Sequence, residues 1–199
     1  MTKPRLPHLI TGGTGLLGLH WAVGCRADHP VSITVHSRTA CPFGVQAIEA
    51  DLADPRSLDV AIVRSGAKVV VHAAGLTSVE RCEADPDAAH HHNTVLAERV
   101  AQAAARHGLH LIHVSTDHLF DGREELYDED SPVRPLNVYG RSKAEAEEAV
   151  LKACPSALVL RTNFFGWGPS YRPSFSDWIV GGLRVQQERS LGYLHPGLE

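Results

Sequence analysis

Thr11-Gly12-Gly13-Thr14-Gly15-Leu16-Leu17-Gly18 is the stretch that decides the fold. It follows Leu6 to Thr11, a short apolar run that reads as a buried strand, and it opens Leu16 to Cys25, which reads as a helix. The glycines fit Gly-x-Gly-x-x-Gly from Gly13 or Gly-x-x-Gly-x-x-Gly from Gly12, with the same physical consequence. Gly12 and Gly13 permit a tight turn. Gly15 lets a ligand's pyrophosphate approach the backbone, and Gly18 lets the helix pack close to the strand. The helix start, with Leu16 and Leu17, offers free N–H groups and a positive dipole end to phosphates. A glycine pattern alone is weak; strand, loop and helix in that order are the context it needs.

Outward from the loop, strand and helix signals alternate. Val31 to His36 is a β-branched run and Val45 to Glu49 a short third strand. Asp54-Pro55 supplies a helix cap and a proline for the first turn, with Gly66 past the end near Arg64. Lys68 to Ala73 is apolar without alternation, as in a parallel strand covered on both faces. An alanine-rich helix is expected from Pro86 to His107, closed by Gly108. A fifth strand follows over Leu109 to Ser115, then a helix over Val138 to Lys152 and a sixth strand over Leu158 to Thr162. The acidic, proline-containing stretch Asp121 to Pro135 is expected to be an exposed loop. Alternation of this kind predicts an α/β, Rossmann-type, doubly wound parallel sheet.

Composition narrows the function class. The 199 residues are 43% hydrophobic and 21% charged, the balance of a globular chain, and the net charge is −4. An acidic balance argues against a nucleic-acid partner. No apolar run approaches the ~20 residues that cross a bilayer, so no membrane partner is expected. Met1 to Pro7 runs straight into the first strand without an apolar export segment, so a cytoplasmic location is expected. Cys25, Cys41, Cys82 and Cys154 are dispersed, which fits reduced thiols better than disulfides or zinc. Three of the histidines, His90 to His92, are consecutive. Neighbours on a helix point about 100° apart, so the three cannot converge on one metal, and no metal is expected.

The glycine loop implies a dinucleotide, and the end of the second strand bears on which one. An NAD site usually places a carboxylate there for the ribose 2′-hydroxyl. Here the stretch reads His36-Ser37-Arg38-Thr39, without an acid, and Arg38 can pair with a 2′-phosphate. NADP is therefore expected, with NAD as the alternative. Asp51 and Leu52 are candidates for the adenine edge, and Ala73, Ala74 and Gly75 for lining the dinucleotide with small residues.

Tyr139 and Lys143 stand four apart on a predicted helix and share a face. A tyrosine is a poor acid or base at neutrality, and a neighbouring ammonium is expected to lower its pKa. Such a pair can move a proton beside a nicotinamide, and the lysine can also hold the ribose. Ser115-Thr116-Asp117 closes the fifth strand at the carboxyl edge, where open α/β sheets bind ligands.

In this order, the motifs Thr11 to Gly18, His72 to Gly75, Ser115 to Gly122 and Tyr139 to Lys143 resemble the extended short-chain dehydrogenase/reductase family over about residues 6 to 184. Within it, Ser115 to Gly122 and Arg161-Thr162-Asn163-Phe164-Phe165-Gly166 look most like the dTDP-4-dehydrorhamnose reductase group. The resemblance implies Thr116 as the catalytic hydroxyl, Tyr139 as proton donor and Lys143 as helper, in an NAD(P)H-dependent reduction of a keto group on a nucleotide sugar. His118 departs from the group, whose reductases carry tyrosine there and whose dehydratase relatives carry glutamate. Members continue well beyond this length, so little or no C-terminal substrate domain is expected. Residues 1–183 are read as the dinucleotide-binding domain and 184–199 as an irregular tail. Trp167 to Trp178 are candidates for a substrate wall, with Arg172 for a phosphate. Two alternatives stay open. One is an inactive NADP-binding regulatory or sensor module, as in the regulatory β subunit of methionine adenosyltransferase. The other is a nucleotide-sugar epimerase. A homo-oligomer is compatible with all of them.

Overall fold

A computed structural model describes residues 4–184. Six strands pair in parallel, β1 (His8–Thr11), β2 (Val31–Val35), β3 (Gln46–Glu49), β4 (Val69–His72), β5 (His110–Ser115) and β6 (Leu158–Arg161). They stand in the order 3-2-1-4-5-6, so the chain starts in the middle, winds to one edge, returns and winds to the other. The expected doubly wound α/β fold is borne out, with most strands slightly shorter than the apolar runs suggest.

Alternation of side chains sorts the strands onto two layers. Leu9, Ile48, Val70 and Leu111 point to one face. There they meet α2 (Pro55–Ser65), α5 (Leu96–Arg106) and α6 (Val138–Ala153) through Leu58, Ile62, Val100, Ala101, Ala146 and Val150. Ile10, Ile33, Val71 and Val114 point the other way, onto Leu17, Trp21 and Ala22 of α1 (Leu16–Cys25). Both faces of the central strands are covered, which explains their continuous apolar sequence. Alanines at 97, 101 and 104 lie fully buried in α5, where small side chains let helix and sheet come close.

Local signals set the helix ends. Asp54 accepts a hydrogen bond from Arg56 N at 3.0 Å, Pro55 occupies the first turn, and Gly66 takes φ 59° after the last. Removing that cap by Asp54→Ala is expected to cost about 1 kcal/mol. In thermal unfolding this reads as a Tm lower by ~2–4 °C.

The predicted helix over 86–107 is more complicated. It begins as α4 (Pro86–His90), widens into a π-helical turn over His91–Val95 and resumes as α5. A further short helix, α3 (Val79–Ala84), precedes it, capped by Ser78 accepting from Arg81 N at 3.2 Å. The sequence analysis did not anticipate it, because a helix of six residues is too short to show periodicity.

The described chain separates into two compact units, one ending at Asn163 and one beginning at Phe164. The second contains α7 (Phe175–Arg184). Asp177 organises its approach, accepting from Gly168 N and Ser174 N, both at 2.7 Å. Most of the tail expected over 184–199 lies outside the described residues.

Candidate active site at the carboxyl edge of the sheet

Every site residue of the first unit singled out from sequence follows the end of a strand or lies on α1 or α6. Gly12 to Gly18 follow β1, Ser37 and Arg38 follow β2, Asp51 and Leu52 follow β3, Ala73 to Gly75 follow β4, and Thr116 follows β5. Because the strands are all parallel, these ends share one edge.

The glycine loop is built for close approach. Gly12 has φ 73°, and a Cβ there would sit 2.6 Å from Ala74 N, so the loop lies against the end of β4. A Cβ on Gly18 would come within 2.5 Å of Gly12 O, so that helix residue seats directly on the turn. Gly15 begins α1 without a side-chain cap, and the first turn carries no acidic residue. The N–H groups and dipole end are thereby left to a phosphate-bearing ligand, and the residues fit that chemistry. Ser37 and Arg38 are exposed, and His36 to Thr39 include no carboxylate. Asp51 is exposed, and its Oδ1 accepts from Ala53 N at 2.8 Å.

Thr116, Tyr139 and Lys143 come together, as their order in the chain suggests. Thr116 caps a short turn over Asp117–Leu119, accepting from His118 N at 3.2 Å. Its hydroxyl donates to Asp117 Oδ1 at 3.2 Å, and it also bears on the Tyr139 phenol, whose pKa it lowers. A Cβ on Gly140 would lie 2.5 Å from His118 O, so glycine beside the tyrosine lets α6 press onto that turn. His118, the residue that departs from the reductase pattern, packs edge-on against Tyr139 with ring centroids 5.5 Å apart.

Burial raises the Tyr139 pKa, the Thr116 hydrogen bond opposes it, and Cys82 and Asp117 reinforce it. The expected lowering of the phenol by Lys143 is not seen. Lys143 turns into the sheet instead, donating to Val114 O at 2.6 Å and to His113 Nε2 at 3.3 Å. Burial lowers the Lys143 pKa to about 8, against the pull of Glu147.

Several supporting residues were not found from sequence. The π-helical turn aims Asn93 and Thr94 at α6. Asn93 donates to Ser142 Oγ at 2.9 Å, and Ser142 Oγ donates to Tyr139 O at 2.8 Å. The same amide clamps the loop after β4, accepting from Leu76 N at 2.7 Å and donating to Leu76 O at 3.0 Å. Thr94 Oγ1 donates to Ser142 O at 2.8 Å. One turn beyond Lys143, Glu147 receives Arg161 of β6 through Nε and Nη2, the latter at 2.9 Å. Polar residues inside an apolar stretch were the only available signal, and they do not say which way a helix is rotated. Among the described residues no group of three or more His, Cys, Asp or Glu could hold a metal ion. Nor is any described helix long and apolar enough to cross a membrane.

A glycine loop opening α1 at the centre of this sheet, with a hydroxyl, a phenol and an amine at the same edge, defines a Rossmann-type protein of the short-chain dehydrogenase/reductase kind. The resemblance read from sequence is thus borne out at the level of class. More narrowly, the chain belongs to the RmlD substrate binding domain family, which matches residues 7–176.

It is 32% identical over 186 residues to dTDP-4-dehydrorhamnose reductase of Salmonella typhimurium, covering 91% of this chain and 57% of that protein. It is 35% identical over 171 residues to methionine adenosyltransferase 2 subunit beta of Xenopus laevis, covering 81% and 47% respectively. The chain therefore spans about half the length of the curated relatives it matches. Its fold is similar to the crystal structure of a Bacillus anthracis dTDP-4-dehydrorhamnose reductase in complex with NADP. That likeness has a TM-score of 0.74 and 22% identity, and covers 95% of this chain and 62% of that one.

Proposed function

We propose that this chain carries the coenzyme- and proton-handling part of an NAD(P)H-dependent reductase that acts on a keto group of a nucleotide sugar. The observation that carries the reading is the shared edge. An uncapped glycine-loop helix and the Thr116, Tyr139 and Lys143 set lie at the carboxyl ends of one parallel sheet. The relatives named reductases support the reaction class, and the neighbour bound to NADP supports the coenzyme. The absence of a carboxylate over His36 to Thr39, with Arg38 beside it, favours NADP over NAD.

In this reading Gly12, Gly15, Leu16, Leu17 and Gly18 take the phosphates, and Ser37 and Arg38 the phosphorylated ribose. Asp51 and Leu52 take the adenine edge. Ala73, Ala74 and Gly75 line the middle of the ligand, and Tyr139 and Lys143 take its nicotinamide end. A bound reduced nicotinamide supplies hydride; the protein supplies position, charge and a proton. A phenol whose pKa is raised by burial keeps its proton at neutral pH, the state a donor to a developing alkoxide needs. Thr116 O–H orients the carbonyl. Lys143 places positive charge at the same edge.

Loss of NADPH absorbance against a panel of 4-keto nucleotide sugars tests the reaction. Turnover of none of them, with NADPH bound, would favour the second reading, a coenzyme-binding regulatory module, to which the likeness to a transferase subunit points. The charge on Lys143 adds a pH dependence. Its pKa of about 8 means that the ammonium is lost as pH rises through that value. NADPH affinity, followed by fluorescence titration from pH 7 to pH 9, is expected to weaken across that step, because a buried positive charge at the edge assigned to an anionic ligand disappears.

A further inference from the structure

Lys143 is held from the sheet side by groups that packing does not require. His113 is in register with His72 of β4, and Thr11 of β1 is in register with His72. The two imidazoles stack with centroids 5.4 Å apart, and Thr11 Oγ1 meets His72 Nδ1 at 2.6 Å. Both rings lie at most 1% exposed. A buried imidazole is costly unless its nitrogens find partners. Here His72 Nε2 and His113 Nδ1 have none. A leucine at 113 would fill the space without that penalty, as Leu111 does on the same face of β5. Stability therefore gives no account of the imidazole. What His113 does contribute is an acceptor, Nε2, 3.3 Å from Lys143 Nζ.

The groups facing Lys143 are few. On α6 it is Glu147, and Arg161 of β6 occupies both of its carboxylate oxygens. On β5 they are Val114 O and His113, with His72 of β4 behind. Burial, with Lys143 second, lowers the His72 pKa to about 3 and holds His113 well below its usual range. Both rings are therefore neutral. A neutral ring that accepts at Nε2 carries its proton on Nδ1, which fixes the tautomer.

We propose, on the reading of Lys143 given above, that His113 is a positioning residue whose neutral imidazole accepts from Nζ and holds the Lys143 ammonium in its charged form at the end of β5. The test needs neither coenzyme nor substrate. The chain contains four lysines, Lys3, Lys68, Lys143 and Lys152, so ¹³C-lysine labelling gives four Cε resonances. Loss of one in Lys143→Arg assigns Lys143. In wild type its midpoint is expected near pH 8.

In His113→Leu the acceptor is gone, and the midpoint is expected to fall by about half a unit to one unit, one unit being tenfold in the ratio of ammonium to amine. His113→Gln, whose Oε1 can accept in place of Nε2, is expected to restore it. His113→Met takes the place of the leucine variant should that one fail to fold. An unchanged or raised midpoint in the apolar variant, or no recovery with glutamine, would overturn the role of His113. A wild-type protein that does not bind NADPH would overturn the proposed function instead, and the lysine titration would still decide the role of His113.

Discussion

Replacing Tyr139 by phenylalanine is expected to lower turnover of a keto substrate by about 10²–10⁴-fold, the loss that follows removal of a positioned proton donor, while NADPH binds as before. The variant removes one oxygen and little else. The ring keeps its edge contact with His118, and Gly140, which lets α6 meet the turn after β5, is untouched. Thr116 loses the phenol as a neighbour, but it keeps its bonds to Asp117 Oδ1 and from His118 N. A net loss of about 0.5–1.5 kcal/mol in stability is the most that one such hydrogen bond accounts for, too small to unfold the protein. Stopped-flow or steady-state loss of NADPH absorbance, with a parallel binding titration, separates the two effects. Retained turnover would remove Tyr139 from its assigned place.

Gly15→Asp is expected to push binding and stability in opposite directions. A Cβ at Gly15 meets only Gly12 O, at 3.2 Å, and φ is −81°, a value any residue adopts. The backbone angles therefore accept a side chain, with Gly12 O giving way by a few tenths of an ångström. Aspartate at a helix start is a favoured cap, so Tm should hold or rise slightly. The same carboxylate would face the pyrophosphate that the proposed function assigns to the loop. Like charges brought together there cost several kcal/mol, so NADPH affinity should fall by at least ~100-fold, about 3 kcal/mol. Equal binding by wild type and variant would reject the loop as the phosphate site. Gly18→Val is a poor substitute, because its side chain would collide with Gly12 O at 2.5 Å and displace the helix, confusing misfolding with lost affinity.

The fold was legible because its determinants are local and periodic. The run of valines at 69–71 announces a strand covered on both sides, and Asp54-Pro55 with Gly66 brackets α2 to within a residue. Thr116, Tyr139 and Lys143 were legible as candidates because a strand end and an i, i+4 pair can be counted along the chain. The direction of the Tyr139 shift was not legible. It depends on how deeply α6 buries the phenol and on Lys143 turning to Val114 O, both consequences of tertiary packing. Asn93 illustrates the same limit. Its importance comes from a widened helical turn, and the sequence around it reads as ordinary helix. His113 is a single polar residue within a strand, to which the sequence analysis assigned nothing, and only the parallel register sets it beside His72.

The boundary between Asn163 and Phe164 has a practical corollary. Every group assigned to coenzyme or proton handling lies ahead of it, whereas the aromatic stretch and Arg172 come after. On the proposed reading, the groups that would handle coenzyme and proton therefore all fall within one compact unit of the chain. Substitutions beyond Phe164 would leave every residue of the proposed coenzyme site unaltered.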